Sequence, residues 1–233
     1  MGDDRAVTAA RIRTVLFDLD GTLLDSAQLI LASCHHTMEM HGLPARSDEE
    51  WLRHMGTPLT AHFAAWKDEE GTVEALIATY RAFNTANHDR MVRAFPGAVA
   101  MVEALRAAGL AVGLVTSKHT RGALLGLRTI GLDGAMDVMV CADGVAHHKP
   151  HPEPVETAVR LLAADPARTV YVGDSIHDLQ SGRAAGVLTA AALWGPFTRS
   201  QLEPGEPDFW LEEPADVLAL ACGRPPGAGQ GSD

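Results

Sequence analysis

Two acidic side chains follow an apolar run near the start of the chain. In the stretch VLFDLDGTLLDS, residues 15–26, the apolar run ends at Phe17, and Asp18 and Asp20 follow just before Gly21. Because successive side chains of an extended chain point to opposite sides, these two carboxylates share one side. Carboxylates do not help the end of a buried strand to fold. Their presence therefore indicates chemistry, since paired acids can supply a nucleophile and a general acid or base.

Further polar groups occur where later apolar segments end. They are Thr116, Ser117 and Lys118 in AVGLVTSK, Lys149 in HHKPHPEP, and Asp174 and Asp178 in TVYVGDSIHD. The carboxyl ends of parallel strands meet at one edge of a sheet, so we expect these groups to lie beside the first two aspartates. The acids would repel one another without a cation, and oxygen ligands suit Mg²⁺. The set therefore predicts a magnesium site with a hydroxyl donor and a lysine.

The elements that must position these groups alternate along the chain. Segments with the composition of buried strands are 14–19, 111–116, 137–141, 169–173, 187–193 and a short one at 208–211. Helical patterns between them cover 98–108, 120–130, 153–163 and 179–185. Strands that alternate with helices form a parallel sheet that is covered on both faces. The predicted fold class is therefore α/β, with a Rossmann-like parallel sheet core.

One segment interrupts this alternation. Between Ser26 and Phe95 no stretch has a strand pattern, whereas 27–41 and 73–87 have helical periodicity. The segment leaves from the carboxyl end of the first strand, where ligands of such sheets bind, so we expect a small α-helical cap over the site. The predicted division is a core domain over 13–24 and 96–222, a helical cap domain over 25–95, a flexible N-terminus over 1–12 and a disordered tail over 223–233.

Composition narrows the class of function. The net charge of −11 argues against binding to nucleic acids. No run approaches the ~18 apolar residues of a membrane helix, and the first residues lack a signal-peptide pattern. The widely spaced Cys34, Cys141 and Cys222 fit reduced thiols better than disulfides. We therefore expect a cytoplasmic protein with neither a nucleic-acid nor a membrane partner, and the sequence does not indicate a protein partner.

The motifs DLDGT, TS, KP and GDxxxD, in this order, resemble the haloacid dehalogenase superfamily over most of the chain. The helical segment after the first motif is similar to the first cap type of that superfamily. The resemblance implies that Asp18 is the nucleophile and Asp20 the general acid and base. It also implies that Thr116 and Lys149 hold the phosphoryl oxygens.

The same resemblance implies a metal site and further substrate contacts. Mg²⁺ would be bound by the Asp18 carboxylate, the backbone carbonyl of Asp20 and Asp174, and Asp178 would support the site from behind. Gly21, Thr116, Ser117 and Lys149 would contact the substrate.

The acid at position 20 favours phosphoryl transfer over dehalogenation, because a departing halide needs no proton. A carboxylate nucleophile would divide the slow hydrolysis into two steps through an aspartyl-phosphate. Thr22 favours a hydrolase over a mutase of the same superfamily. A phospho-aspartate signalling domain is an alternative from another class, although such domains are shorter and lack the helical segment.

Three short stretches bear on the substrate. YRAFNTANHD, HHKPHPEP and PDFWL resemble the bacterial pyrophosphatase subgroup associated with HPr kinase/phosphorylase, and also phosphoglycolate phosphatases. Cations of the expected cap could bind an anionic leaving group, and they are Arg53, Arg81, Arg90 and Arg93. The predicted substrate is pyrophosphate or a small phosphate monoester such as phosphoglycolate.

Overall fold

The structure, a computed structural model, describes residues 12–64 and 72–223. The predicted flexible N-terminus (1–12) and disordered tail (223–233) lie outside the described residues, apart from Ile12 and Gly223. Within the described ranges, no helix combines the length and the apolar character that a membrane span requires.

A six-stranded parallel sheet forms the centre of the fold and confirms the predicted class. The strands of the chain are β1 (Thr14–Phe17), β2 (Leu24–Asp25), β3 (Arg93–Ala94), β4 (Ala111–Val115), β5 (Val138–Val140), β6 (Thr169–Gly173), β7 (Leu188–Ala192) and β8 (Phe209–Leu211). The sheet has the order β5-β4-β1-β6-β7-β8, and each neighbouring pair is parallel. Because β1 lies between β4 and β6, the groups that follow it emerge at the middle of the sheet edge.

Helices cover both faces of this sheet. In chain order they are α1 (Ala27–Met40), α2 (Asp48–Leu52), α3 (Leu59–His62), α4 (Thr72–Met91), α5 (Ala98–Ala107), α6 (Thr120–Thr129), α7 (Glu153–Leu161), α8 (Ile176–Ala184), α9 (Arg199–Leu202) and α10 (Ala215–Ala221). Leu16 packs with Val155 of α7 on one face, whereas Phe17 packs in the cluster that contains Leu105 of α5 on the other. Burial on both faces explains why β1 is a continuous apolar run.

Helix α8 begins three residues before the predicted start. The Ser175 side chain accepts a hydrogen bond from the Asp178 backbone N–H, and the Asp178 carboxylate accepts one from the Ser175 N–H. This capping box starts the helix directly after the end of β6. As a result, Asp178 lies in the first turn of the helix and close to the sheet edge.

The helical insert, residues 25–95, contains α1 to α4 and has its own apolar cluster around Trp51, Phe63 and Leu76. The prediction that this segment holds no strand is wrong, because β3 pairs antiparallel with β2 where the chain enters and leaves the insert. Two residues are too few for an alternating pattern, so only the tertiary structure brings this pair together. The division into core and cap domains stays a prediction.

Candidate active site

Lys149 and Asp18 form the buried centre of the site. Lys149 Nζ lies 2.9 Å from Asp18 Oδ1, 2.5 Å from Asp178 Oδ1 and 3.1 Å from the Tyr171 hydroxyl oxygen. The side chains of Lys149 and Asp18 are only 1% and 3% exposed. A buried charge is tolerated when it is paired and hydrogen-bonded. Three acceptors therefore hold the lysine in one position beside Asp18.

Tyr171 connects this lysine to two strands. Its hydroxyl oxygen lies 2.8 Å from the Val115 carbonyl oxygen and 2.9 Å from Asp178 Oδ1. A phenol carries one proton, so it donates to one of these oxygens and accepts from Lys149. Tyr171 belongs to β6 and Val115 ends β4, so the phenol fixes Lys149 relative to both neighbours of β1.

Burial and charge act against each other on the pKa values of this group. Burial raises the pKa of Asp18 to about 7, although the charge of Lys149 lowers it. Burial also acts to raise the pKa of Asp178, but the charge and hydrogen bond of Lys149 hold it below its ordinary value. For Lys149, burial lowers the pKa, and the charges of Asp178 and Asp18 outweigh this effect and raise it. The lysine is therefore cationic at neutral pH.

One carboxylate oxygen at this edge lacks a partner. Thr22 donates a hydrogen bond of 2.8 Å to Asp174 Oδ1, whereas Asp174 Oδ2 is buried without a partner among the described residues. Burial, followed by the charges of Asp178 and Asp18, raises the pKa of Asp174 well above its ordinary value. Oxygen atoms of these three aspartates lie within 4.8 Å of one another. This donor set fits a hard divalent cation, which would pair the free oxygen and reduce the repulsion.

Gly21 makes the close approach of Asp174 possible. Its φ of +91° belongs to the region that favours glycine, and a Cβ atom here would overlap the Asp174 carboxylate. Any side chain at this position would therefore displace the carboxylate or distort the turn. The predicted substrate contact of Gly21 stays a prediction.

Asp20 faces a second lysine. Lys118 Nζ lies 2.8 Å and 2.9 Å from the two carboxylate oxygens of Asp20, and the Ser26 hydroxyl donates a bond of 2.7 Å to Asp20 Oδ1. Burial acts to raise the pKa of Asp20, but Lys118 and then Ser26 hold it below its ordinary value. Asp20 and Lys118 both line a cavity of about 1090 Å³. The Asp20 carboxylate thus lies at the cavity beside Lys118, and Asp18 lines the same cavity.

Thr116 and Ser117 follow β4 and line the same cavity. Thr116 Oγ1 accepts a bond of 3.1 Å from the Lys118 backbone N–H, so its own proton is available to a ligand. Ser117 Oγ donates a bond of 2.6 Å to the carbonyl oxygen of Gly56 in the insert. The predicted substrate contact of Ser117 stays a prediction, since its proton here goes to the insert.

The sequence model of the haloacid dehalogenase-like hydrolases matches residues 15–192, a range that holds all the acids and lysines of the site. The chain belongs to this family. The membership confirms the prediction of a phosphatase-type hydrolase.

Similar proteins support the family assignment. Pyrophosphatase PpaX of Bacillus cereus (strain AH820) is 40% identical over 210 residues, which cover 90% of this chain and 96% of that protein. The crystal structure of a predicted phosphoglycolate phosphatase from Haemophilus somnus 129pt has a TM-score of 0.82 at 24% identity, covering 90% of this chain and 98% of the other. A haloacid dehalogenase-like family hydrolase from Streptococcus pneumoniae has a TM-score of 0.77 at 24% identity, again covering 90% and 98%. The two structures establish the common fold.

Arginines of the helical insert and of α6 line the cavity of this haloacid dehalogenase-like hydrolase. Arg81 of α4 lines it, as do Arg121 and Arg128 of α6. Of the four cap arginines expected at the substrate, only Arg81 therefore reaches the cavity. The other three bind elsewhere within the described residues: Arg53 to Glu49, Arg90 to Asn87, and Arg93 to the carbonyl oxygens of Asp89 and Val92.

Sequence reasoning assigned no site role to Lys118, Tyr171 or Ser26. The only local signal for Lys118 is its position two residues after Thr116, at the end of a strand. Tyr171 looks like an ordinary buried strand residue in the sequence. Their partners become visible only when the neighbouring strands are aligned.

Proposed function

We propose that this protein is a Mg²⁺-dependent phosphatase that hydrolyses pyrophosphate through a covalent phosphate on Asp18. The observation that carries this proposal is the division of labour between the two acids after β1. Asp18 lies against the buried cation of Lys149 and beside the unpaired oxygen of Asp174. Both acids line the cavity, and Asp20 contacts Lys118 there instead of the buried lysine. The first arrangement suits a nucleophile, and the second suits a proton donor.

In the first step Asp18 attacks phosphorus, and the bond between phosphorus and the leaving oxygen breaks. Both reactants are anions, so Lys149 lowers the repulsion between them, and the Thr116 hydroxyl donates to a phosphoryl oxygen. The carboxylates of Asp18 and Asp174 and, as the family resemblance implies, the backbone carbonyl of Asp20 would hold Mg²⁺, which would supply further positive charge. Asp178 acts on the site through its contact with Lys149.

Asp20 transfers a proton in both steps, as the general acid in the first and the general base in the second. Its carboxyl group gives a proton to the leaving oxygen, and the resulting carboxylate takes one from the water that attacks the phosphate on Asp18. Lys118 keeps the pKa of Asp20 low in the free site. Asp20 therefore has to gain its proton as the substrate binds.

The helical insert serves as a cap in this proposal. Its Gly56 carbonyl accepts the hydrogen bond from Ser117, and Arg81 reaches the cavity from α4. A closed cap excludes water and strengthens charge interactions inside. Pyrophosphate offers no apolar surface, so arginine, whose planar fork binds phosphate oxygens at two points, suits its recognition. The name of the 40% identical relative, a pyrophosphatase, supports this substrate.

A substrate panel tests the assignment. kcat/KM is compared with Mg²⁺ for pyrophosphate, phosphoglycolate, sugar phosphates and nucleoside monophosphates. We expect pyrophosphate to react at least as well as phosphoglycolate, and both better than the rest. A tenfold preference for a sugar phosphate or a nucleotide, about 1.4 kcal/mol in transition-state binding, contradicts the substrate but not the phosphatase. A tenfold preference for phosphoglycolate over pyrophosphate makes it the substrate instead.

A further inference from the structure

Lys118 is a cation at the active-site cavity that the reaction described above does not use directly. Its Nζ contacts both carboxylate oxygens of Asp20, and its side chain is 16% exposed. Its backbone follows β4, where its N–H donates to Thr116 Oγ1. The charged end of the side chain therefore lies against the proposed proton donor at the wall of the cavity.

The chain around Lys118 leaves room for this conformation. Gly122 lies in the first turn of α6, and a Cβ atom there would be 3.2 Å from Lys118 Cε and 3.3 Å from Cγ. The Lys118 carbonyl oxygen accepts a bond of 3.1 Å from the backbone N–H of Ala142. The backbone of Lys118 is thus fixed at both sides, and the missing side chain at position 122 makes space for its methylene groups.

Lys118 and Asp20 form a mostly buried ion pair at the cavity, with side chains 16% and 15% exposed, and Asp20 also has a hydrogen bond from Ser26. The other lysine of the site is tied to Asp18, Asp178 and Tyr171. Lys118 is thus the lysine that can exchange its partner for a ligand anion.

A substrate that receives a proton from Asp20 has to bring its leaving oxygen to one of the carboxylate oxygens. Lys118 Nζ contacts both of these oxygens in the free site. A carboxylate oxygen can accept more than one hydrogen bond, so a leaving oxygen that reaches Asp20 comes to lie within reach of the charge of Lys118. The same lysine then faces the group that is about to depart.

We propose that Lys118 is a catalytic residue that binds the leaving phosphate and neutralises the charge that develops on it. The role rests on the proposed function and deepens it. As the bond from Asp18 to phosphorus forms, the bond from phosphorus to the bridging oxygen breaks, and its electron pair remains on that oxygen. The oxygen takes the proton of Asp20, and Lys118 binds the resulting phosphate through an ionic hydrogen bond.

Leaving groups of different charge test this role. Pyrophosphate releases a phosphate with several charges, whereas p-nitrophenyl phosphate releases a weakly basic phenolate. In saturating Mg²⁺, we expect Lys118→Met to lower kcat/KM for pyrophosphate at least about 30-fold and for p-nitrophenyl phosphate less than about threefold. Lys118→Arg should recover most of the pyrophosphate activity, because it restores the charge.

The control variant is Arg160→Met, which removes one positive charge from an exposed position on α7 and should leave both activities unchanged. A second readout is product inhibition. The inhibition constant of inorganic phosphate should rise at least about fivefold in Lys118→Met and stay unchanged in the control. Thermal unfolding of each variant establishes that it is folded.

Equal losses on both substrates, or none on either, overturn the role of Lys118. Failure of the proposed function gives a different result, since the wild-type protein then hydrolyses p-nitrophenyl phosphate but not pyrophosphate. In that case the comparison is made with phosphoglycolate, whose leaving group carries a carboxylate. A selective loss on that substrate in Lys118→Met still supports the role, and an unselective one overturns it.

Discussion

Two lysine–carboxylate pairs of similar length lie in different surroundings at the same sheet edge. Lys149 and Asp18 are 2.9 Å apart and almost fully buried, whereas Lys118 and Asp20 are 2.8 Å apart and about one sixth exposed. Lys149 has further acceptors behind it, and Lys118 has hydrogen bonds from its Nζ to Asp20 alone among the described side chains.

This difference decides which charge can move. Breaking a buried pair leaves an uncompensated charge in the interior, at a cost of about 3–5 kcal/mol. The pair of Lys118 and Asp20 borders the cavity, so water or a bound anion can take the place of a separated partner and reduce this cost. Lys149 is therefore a fixed charge beside the nucleophile, whereas Lys118 can leave Asp20 for a substrate at a smaller cost.

The largest expected effect is on the nucleophile of the buried pair. Asp18→Asn keeps the shape of the side chain and an oxygen for Lys149, so the fold should survive while turnover falls by at least about 10³-fold. Acid-quenched wild-type protein should carry phosphate during turnover, and the variant should not. The control is Asp20→Asn, which should lose much of its rate and still bind Mg²⁺. A variant Asp18→Asn with a tenth of wild-type activity contradicts the covalent route.

Removal of the metal should affect activity, because the buried carboxylates of Asp18 and Asp174 would bind it. Excess chelator should abolish activity, and Mg²⁺ should restore it. Ca²⁺ should inhibit, because its looser coordination can occupy the attacking oxygen of Asp18. Mg²⁺ should also raise the melting temperature of the wild type more than that of Asp174→Asn. Full activity in chelator, or restoration by Zn²⁺ alone, is incompatible with this site.

Replacing each lysine in turn should show that the two pairs contribute differently to the free energy of unfolding. Lys149→Met leaves Asp18 and Asp178 without their cation and should lower the free energy of unfolding by about 3–5 kcal/mol. Lys118→Met should lower it by less than Lys149→Met does, because water in the cavity can hydrate the Asp20 carboxylate. Urea unfolding in chelator measures both. Equal losses would mean that the two pairs do not differ as their burial indicates.

The pH dependence of stability should have opposite signs for the two carboxylates. The pKa of Asp18 is about 7 in the fold, above the ordinary 3.8, so its contribution is present at low pH and lost as pH rises from about 4 to about 7. The pKa of Asp20 is lowered, so its contribution is present above its ordinary pKa and lost as pH falls below about 4. The measurement is the free energy of unfolding against pH in chelator. Asp18→Asn should flatten the higher range and Asp20→Asn the lower one, and an unchanged slope in either variant contradicts that assignment.

The smallest effect concerns the support behind Lys149. Tyr171→Phe removes one acceptor of the lysine but leaves both carboxylates in place. We expect kcat to fall about three- to tenfold, about 0.7–1.4 kcal/mol, with KM unchanged. The pH profile of kcat should also shift, because Lys149 is less firmly held beside Asp18. A change in KM alone would contradict the role of Tyr171 in holding Lys149 beside Asp18.

Local pattern was sufficient for the fold class and for much of the candidate site. Continuous apolar runs that alternate with helical patterns predict a parallel sheet, and in such a sheet the carboxyl ends of the strands lie at a common edge. For that reason Asp18 and Lys149 could be expected together although 131 residues separate them. The roles of Asp18, Asp20, Thr116 and Lys149 came from a family resemblance, and they stay predictions until the variants are measured.

Partners across elements were decided by the tertiary structure alone. Lys118 meets Asp20 over a separation of 98 residues, and the Tyr171 hydroxyl reaches Val115 over 56. The packing of helices and strands likewise decides which arginine lines the cavity. It also decides whether the two-residue strands β2 and β3 pair. Periodicity along the chain reports which face of an element is buried. The atom that a side chain meets there depends on the register and orientation of neighbouring elements, which no local stretch contains.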